Sequence, residues 1–201
     1  MSDDWLTRET LLERAKNQDD QLAWEEFVSY YKEFIIVVLR KISAKPTHHE
    51  DIVQEILLKI WKGLPKFEYN SDRSRFRTWL NTVIRNTTIT YYNKHKNHDQ
   101  KVSSIHTEEG DIPIWSDDEI DKIIEREWKA HICNLAMDRV KPLFSSRALK
   151  IFDDFVSGVN IKKISQEYEI KENSVYKMKN RVQLRVKAEI QRLIRELEPG
   201  C

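Results

Sequence analysis

Side chains that can hydrogen-bond to nucleic acid are concentrated near the end of the sequence, in the stretch ENSVYKMKNRVQLRVK. Arg and Lys can bind guanine edges or phosphates, and Asn can pair with adenine in the major groove. If the stretch is helical, such side chains share its outward face: Asn173, Ser174, Tyr176, Lys177, Asn180 and Arg181. We therefore predict a helix whose outward face binds duplex DNA.

A second group with binding chemistry is the stretch KFEYNSDRSRFR, which begins at Lys66. Single-stranded DNA is bound by basic tracks combined with aromatic side chains on which unstacked bases pack. Here aromatic and basic residues alternate over a few positions: Tyr69, Arg73, Arg75, Phe76 and Arg77. Phe76 is interpreted as a core residue, and the others predict a surface for single-stranded nucleic acid.

Catalytic and metal-binding chemistry is poorly represented. The cluster HHED begins at His48, but adjacent helical residues point about 100° apart and do not share a metal ion. The pair His95 and His98 is no stronger, and with only four glycines no phosphate-binding loop is present. The sequence predicts no enzyme, no cofactor and no metal. Cys133 and Cys201, the two cysteines, are expected to be reduced thiols.

Helices must position these groups, because apolar residues recur at spacings of three and four along most of the 201-residue chain. With only four Gly and five Pro, an all-α fold of two small helical domains is predicted. The predicted boundaries are 20–96 for the first domain, 97–119 for a polar linker and 120–198 for the second domain. The linker lacks a sustained period and contains Gly110 and Pro113.

The second domain carries the pattern of a helix-turn-helix over about 161–185. Asn160 is a plausible N-cap, and five apolar residues fall where two crossing helices pack: Ile164, Tyr168, Ile170, Val175 and Met178. The turn glycine common in such motifs is replaced by Glu169. An ordinary helical hairpin would show the same apolar spacing and remains an alternative.

Charge alternates along the chain although the net charge is only +1. Residues 66–101 contain eight basic and three acidic side chains, and residues 171–195 contain eight basic and two acidic ones. Between them, residues 107–127 contain nine acidic and two basic side chains, which makes the linker acidic. Local basic segments of this kind fit nucleic acid, although a solvated helix surface would also account for either one.

Targeting signals are not evident. The longest apolar run, Phe34 to Leu39, is six residues, whereas a membrane-spanning helix needs roughly 20. The first residues, MSDDWLTRET, are acidic where a secretory signal is basic. We therefore expect a cytoplasmic protein with no membrane partner.

Two separated segments resemble one family, the sigma-70 RNA polymerase sigma factors of the extracytoplasmic-function (ECF) group. The strings HHEDIVQEILLKIWKGLPKF and SRFRTWLNTVIRNTTITYY are similar to sigma region 2, and ENSVYKMKNRVQLRVK is similar to the recognition helix of region 4. The resemblance implies a region 2-like domain, a flexible linker and a region 4-like domain. It implies promoter-specific transcription initiation together with core RNA polymerase, and an anti-sigma factor as a further candidate partner.

The resemblance also assigns roles to residues. Core polymerase binding is implied for one polar helix face that includes an apolar residue: Asp51, Gln54, Glu55, Leu58 and Lys62. Minus-ten DNA binding is implied for Tyr69, Arg73, Ser74, Arg75, Arg77 and Asn86. Minus-thirty-five binding is implied for Asn173, Ser174, Tyr176, Lys177, Asn180 and Arg181. The acidic linker, which enters polymerase channels in such factors, is interpreted as a mimic of a nucleic-acid strand.

Two other readings are open. A helix-turn-helix repressor or activator that acts without polymerase would explain the second domain but not the pattern between Asp51 and Asn86. Leu58, in turn, could be a single exposed leucine on an ordinary solvated face.

Overall fold

A computed structural model of the chain describes residues 10–42, 46–68, 76–102 and 116–197. Over these ranges the predicted all-α fold is confirmed. In chain order the helices are α1 (Leu11–Lys16), α2 (Gln21–Ile42), α3 (His49–Gly63), α4 (Phe76–Val102), α5 (Asp117–Val140), α6 (Ser146–Val156), α7 (Ile161–Glu167) and α8 (Glu172–Leu197). No helix in the described part of the chain is long and apolar enough to cross a membrane.

The contacts divide the chain into two units, and the division differs from the predicted boundaries. Unit one comprises residues 1–129 and 195–201, and unit two comprises residues 130–194. Unit one therefore includes α1, which precedes the predicted start at residue 20, and the first half of α5, which we had predicted to open the second domain. The last described turn of α8 also belongs to unit one.

The core of unit one is built from α2, α3 and α4. On α2, Phe27, Tyr31, Phe34 and Val38 recur at three- and four-residue spacing and are buried, and the rings of Phe27 and Tyr31 stack with centroids 4.3 Å apart. Phe76, the first residue of α4, is buried as predicted and meets the Phe27 ring edge-on at 6.1 Å. On α3 the residues at three- and four-residue spacing, Ile52, Ile56 and Ile60, are fully buried.

Trp128 attaches the first half of α5 to α2. Its side chain is only 2% exposed and stacks on Tyr31, with ring centroids 5.5 Å apart. It also meets Phe34 edge-on at 5.0 Å. Ile120 and Ile124, on the same stripe of α5, are buried as well. The apolar stripe predicted from the sequence is therefore real, and this part of it packs within unit one.

Gly63 allows α3 and α4 to approach closely. A Cβ atom added at Gly63 would lie 2.8 Å from the Cζ2 atom of Trp79 on α4. Real side chains do not tolerate that separation, so the absence of a side chain at Gly63 makes room for the indole.

Unit two has a small core centred on Ile151, Ile164 and Val175, one residue from each of α6, α7 and α8. The other predicted helix-turn-helix positions, Tyr168, Ile170 and Met178, pack around it while remaining partly exposed. The five predicted apolar positions thus meet at one cluster. The two helices of the motif differ in length: α7 has 7 residues and α8 has 26.

The connection between α7 and α8 is held by local hydrogen bonds. Asn160 caps α7 as predicted, because its side-chain oxygen accepts from the backbone N–H of Lys162 at 2.8 Å. Glu169 lies in the turn with a φ of 50°, the one non-glycine residue with positive φ in the described part of the chain. The chain therefore makes this turn without the common glycine, at some cost in backbone strain.

Two side-chain contacts brace unit two. The Tyr168 hydroxyl donates to Asp154 at 2.7 Å, and this hydrogen bond raises the pKa of Tyr168 to about 12. The buried carboxylate of Glu189 on α8 accepts from Arg192 at 2.7 Å and from Arg139 of α5 at 3.0 Å. These hydrogen bonds, that of Arg192 first, lower the pKa of Glu189. α5 and α8 are thereby joined within unit two by charged hydrogen bonds.

The predicted linker, 97–119, is shortened from both ends. α4 continues to Val102 and α5 begins at Asp117, so both edges of that segment are helical. Residues 103–115 lie outside the described part of the chain.

Candidate nucleic-acid interface

One face of α3 carries the residues predicted to bind polymerase. Its opposite face is buried, so the helical period turns Asp51, Gln54, Leu58 and Lys62 outward, where all four are exposed, while Glu55 is half-buried. Leu58 is 50% exposed, an unusual placement for a leucine between polar neighbours. Glu55 pairs with Lys59 of the same helix at 3.1 Å. The predicted polar face with one apolar residue is therefore present.

Asp51 is also tied to α4. The Tyr91 hydroxyl donates to its carboxylate at 3.4 Å and lies 3.3 Å from Nδ1 of His48. Burial, and next the nearby Asp51 charge, raise the pKa of Tyr91, so the phenol stays protonated and remains a donor. This contact fixes the start of α3 against α4. Among the described residues no group of histidine, cysteine and acidic side chains could hold a metal ion.

The predicted minus-ten residues are only partly described. Tyr69, Arg73, Ser74 and Arg75 lie outside the described residues. Arg77 and Asn86 are both on α4, but nine residues separate them, which turns them about 180° apart on a helix. Asn86 is exposed, whereas Arg77 is half-buried and forms an ion pair with Glu125 of α5. The structure does not bring these two residues to one surface.

Two further α4 residues, which the sequence reasoning missed, share the face of Arg77. Asn81 and Arg85 follow it at successive four-residue steps, which places all three on one stripe. Arg85 donates from Nη1 to the Asp121 carboxylate at 2.8 Å. The sequence did contain a signal for this face. Arg77, Asn81 and Arg85 recur every four residues on α4, and Asp121 and Glu125 are four residues apart on α5. We call the three α4 residues the Arg77–Arg85 face.

A cleft of about 670 Å³ opens between this face and the first half of α5. Its lining includes Lys122, Arg126 and Lys129 on α5, so cationic side chains outnumber the carboxylates of Asp121 and Glu125. Two polar atoms at this face, Oδ1 of Asn81 and Nε of Arg85, are buried without a hydrogen-bond partner. Buried polar atoms are normally satisfied, so these two are exceptions: Oδ1 of Asn81 is an unsatisfied acceptor, and Nε of Arg85 is an unsatisfied donor.

Unit two presents the predicted minus-thirty-five residues on α8. Asn173, Tyr176, Lys177, Asn180 and Arg181 are exposed, and Ser174 is half-buried. At 100° per residue these six span an arc of about 160°, and the buried Val175 and Val182 lie on the opposite side. The structure therefore gathers all six on one side of one helix. Leu184, which is 68% exposed, falls in the middle of the same arc and was not predicted.

Of the two cysteines, Cys133 is exposed and is not in a disulfide, and Cys201 lies outside the described residues.

Comparison with known proteins gives one family. Residues 27–98 match the family model of Sigma-70 region 2. The matched segment covers about a third of the chain and contains α3 together with most of α2 and nearly all of α4. No curated protein matches the chain. The match supports a sigma-70 family sigma factor with a role in promoter-directed transcription initiation.

Proposed function

We propose that this protein is a sigma factor of the ECF group, which binds bacterial core RNA polymerase and directs promoter-specific initiation. The observation that carries the proposal is the region 2 match, which coincides with the exposed face of α3 around Leu58. In this proposal α3 binds the polymerase, the segment leading into α4 binds and melts the minus-ten element, and α8 binds the minus-thirty-five element. The protein acts without catalysis of its own, and it acts in the cytoplasm where the polymerase is.

The outward arc of α8 supports the minus-thirty-five role. A helix that follows a tight turn and exposes amide, hydroxyl and basic groups fits the major groove. Lys177 and Arg181 supply the charge, and Asn173 and Asn180 supply amides of the kind that pair with adenine. Bidentate base contacts contribute about 1–3 kcal/mol each to discrimination, so a single alanine substitution should reduce promoter use by roughly 5- to 150-fold.

The first test is transcription by purified bacterial core polymerase on a library of random upstream sequences, with and without the full-length protein. A sigma factor yields transcripts whose templates share two spaced elements. If no transcripts form and the protein alone binds a two-fold duplex site tightly, it is a helix-turn-helix regulator that acts without polymerase, and the sigma assignment is wrong.

The polymerase-binding face is tested with Leu58→Asp. We expect this variant to keep its helicity, because Leu58 is exposed in the free protein. We expect it to lose polymerase binding, because the interface would then bury a charged side chain in place of an apolar one. Leu143→Asp is the matched control, since Leu143 is 57% exposed and lies in unit two. Equal polymerase binding by the two variants would exclude Leu58 from the interface.

The minus-thirty-five face is tested with Lys177→Ala and Arg181→Ala on the enriched promoters. Lys150→Ala is the control, because it removes the same charge from the exposed surface of α6. Promoter use that falls equally in all three variants would show that only overall charge matters. Unchanged use in both α8 variants would remove these residues from the DNA-binding surface.

A further inference from the structure

The Arg77–Arg85 face is occupied by acidic residues of the same chain. Arg77 pairs with Glu125, and Arg85 pairs with Asp121, whose carboxylate is 46% exposed. As the residue number rises along α4 it falls along α5, so the two helices run antiparallel where they meet. The two arginines are eight residues apart on α4, with Asn81 between them, and the two carboxylates are four residues apart on α5; each arginine pairs with one carboxylate.

This occupation conflicts with the proposed function at one defined place. Basic groups on a helix beside the minus-ten segment are those that phosphates of a melted strand would contact. Arg77 was itself predicted to contact minus-ten DNA, yet its guanidinium is already paired with Glu125. A phosphate and a carboxylate offer Arg the same kind of oxygen acceptor, so they compete for the guanidinium N–H groups that the carboxylate now holds.

We propose that the Arg77–Arg85 face is a phosphate-binding face for single-stranded promoter DNA, and that Asp121 and Glu125 occupy it in the free protein as an intramolecular competitor. The inference rests on the proposed function and adds a regulated step to it. DNA binds here only after its phosphates displace the two carboxylates.

The cleft supports such an exchange. It gives a strand access to the face beside α5, and its excess of cationic side chains favours a polyanion. Nε of Arg85 is buried without a hydrogen-bond partner in the free protein, and it is a donor of the kind that a phosphate oxygen accepts from. The ion pairs are partly exposed, so each contributes only a factor of roughly 2 to 5 in an equilibrium constant. They can therefore be displaced.

Trp128 makes the competitor effective. Because its ring is buried against Tyr31 and Phe34, α5 stays in place when a carboxylate swings away, and the carboxylate re-forms its pair readily. A tethered group of this kind acts at an effective concentration in the millimolar range or above. Displacement of the carboxylates requires no release of α5.

The test is binding of a fluorescently labelled 20-nucleotide oligo-dT to the full chain at low salt. Asp121→Asn combined with Glu125→Gln removes both charges while preserving shape. We expect this double variant to bind about 4- to 25-fold more tightly, the product of two factors of roughly 2 to 5. Adding Arg85→Ala to the double variant should reverse most of the gain, because the phosphate contact is then lost.

The matched control is Asp117→Asn combined with Asp138→Asn. It changes the net charge by the same amount on the same helix, both residues are exposed, and Asp138 pairs with Lys141, which does not line the cleft. We expect this control to bind within twofold of the original protein. Urea unfolding of each variant confirms that it is folded, and the single variants, each with an expected gain of roughly 2 to 5-fold, replace the double variant if it is not.

Salt dependence gives a second readout. In the original protein, the released carboxylates attract some cations as the DNA phosphates shed theirs, so the net release of cations is smaller. In the double variant that attraction is absent, and the slope of log K against log salt should steepen, by at most about 1.4 for two single-strand phosphates.

Equal affinity and equal salt slope in the original protein and the double variant would overturn the proposal. So would an equal gain in the control, which would reflect general electrostatics. The transcription experiment fails or succeeds independently. Core-dependent transcripts without a binding gain would refute only the intramolecular competitor, whereas a binding gain without transcripts would refute only the sigma function.

Discussion

The attachment of α5 to α2 through Trp128 is the feature of this fold that the sequence pattern did not foresee, and it has a measurable energy. Trp128 is 2% exposed, with Tyr31 stacked on one side and Phe34 edge-on on another. Substitution of a buried Trp by Ala costs about 3–5 kcal/mol, of which each aromatic pair accounts for about 0.5–1.5 kcal/mol. We expect Trp128→Ala to lower the free energy of unfolding by about 4 kcal/mol.

The assay is urea unfolding followed by far-ultraviolet circular dichroism on the full chain. With a slope of about 2 kcal/mol per molar urea, the midpoint should fall by about 2 M. Trp128→Phe is the control, since it keeps a ring against Tyr31 and loses only part of the apolar area. A smaller loss, of about 1–2 kcal/mol, is expected for it.

A loss below about 1 kcal/mol for Trp128→Ala would refute this reasoning. It would mean that Trp128 is not buried against α2 in solution, and that the first half of α5 belongs with unit two, where the sequence boundary at residue 120 had placed it. Asp121 and Glu125 would then lack the anchor that keeps them at the Arg77–Arg85 face.

Three other substitutions test local features. Gly63→Ala should destabilise the protein by about 1–3 kcal/mol in thermal unfolding, because the new Cβ would lie 2.8 Å from the Trp79 ring; a gain would mean that the indole moves freely. Glu169→Gly should raise the unfolding free energy by about 0.5–1 kcal/mol by relieving the positive φ, whereas Glu167→Gly, at the last residue of α7, should lower it by up to about 1 kcal/mol. Equal effects of these two would contradict the strained turn. Glu189→Gln should cost about 1.5–3 kcal/mol near neutral pH. Because the pKa of this carboxyl is lowered on folding, its stabilisation is complete above the ordinary value of 4.5 and is lost as the pH falls through the folded value. Urea midpoints of the variant should therefore fall less steeply in acid, and parallel pH profiles would contradict this.

The helices were predictable because their apolar residues repeat with the helical period. That period shows which side of α5 is buried, yet it contains no information about the partner, and Trp128 would fit either unit. The same limit applies to the end of α8, where Leu197 is on the predicted stripe but is buried in unit one. Periodicity determines a face, whereas the choice of partner depends on contacts between residues far apart in the chain.

The same distinction holds for the candidate sites: properties of a single helix were predictable, whereas contacts between distant helices were not. The outward arc of α8 and the exposure of Leu58 were predictable, because both depend only on position within one helix. The pairing of Arg77 with Glu125 was not, since they are 48 positions apart and the predicted boundaries put Glu125 in the second domain. Arg77 and Asn86 were grouped by family resemblance, and helix geometry alone shows that they face opposite ways.

The hydrogen bond from the Tyr31 hydroxyl to the Leu197 carbonyl, at 2.9 Å, joins residues that are 166 positions apart. A ribosome adds about 5–20 residues per second, so roughly 8 to 30 s pass between synthesis of the two partners. For the first 97 residues of that interval the growing chain has the aromatic residues of α2 without Trp128, and it lacks Leu197 until the interval ends. Unit one cannot reach its final packing before residue 197 has been made, and nascent chains of this protein are expected to depend on chaperones that shield this surface during synthesis.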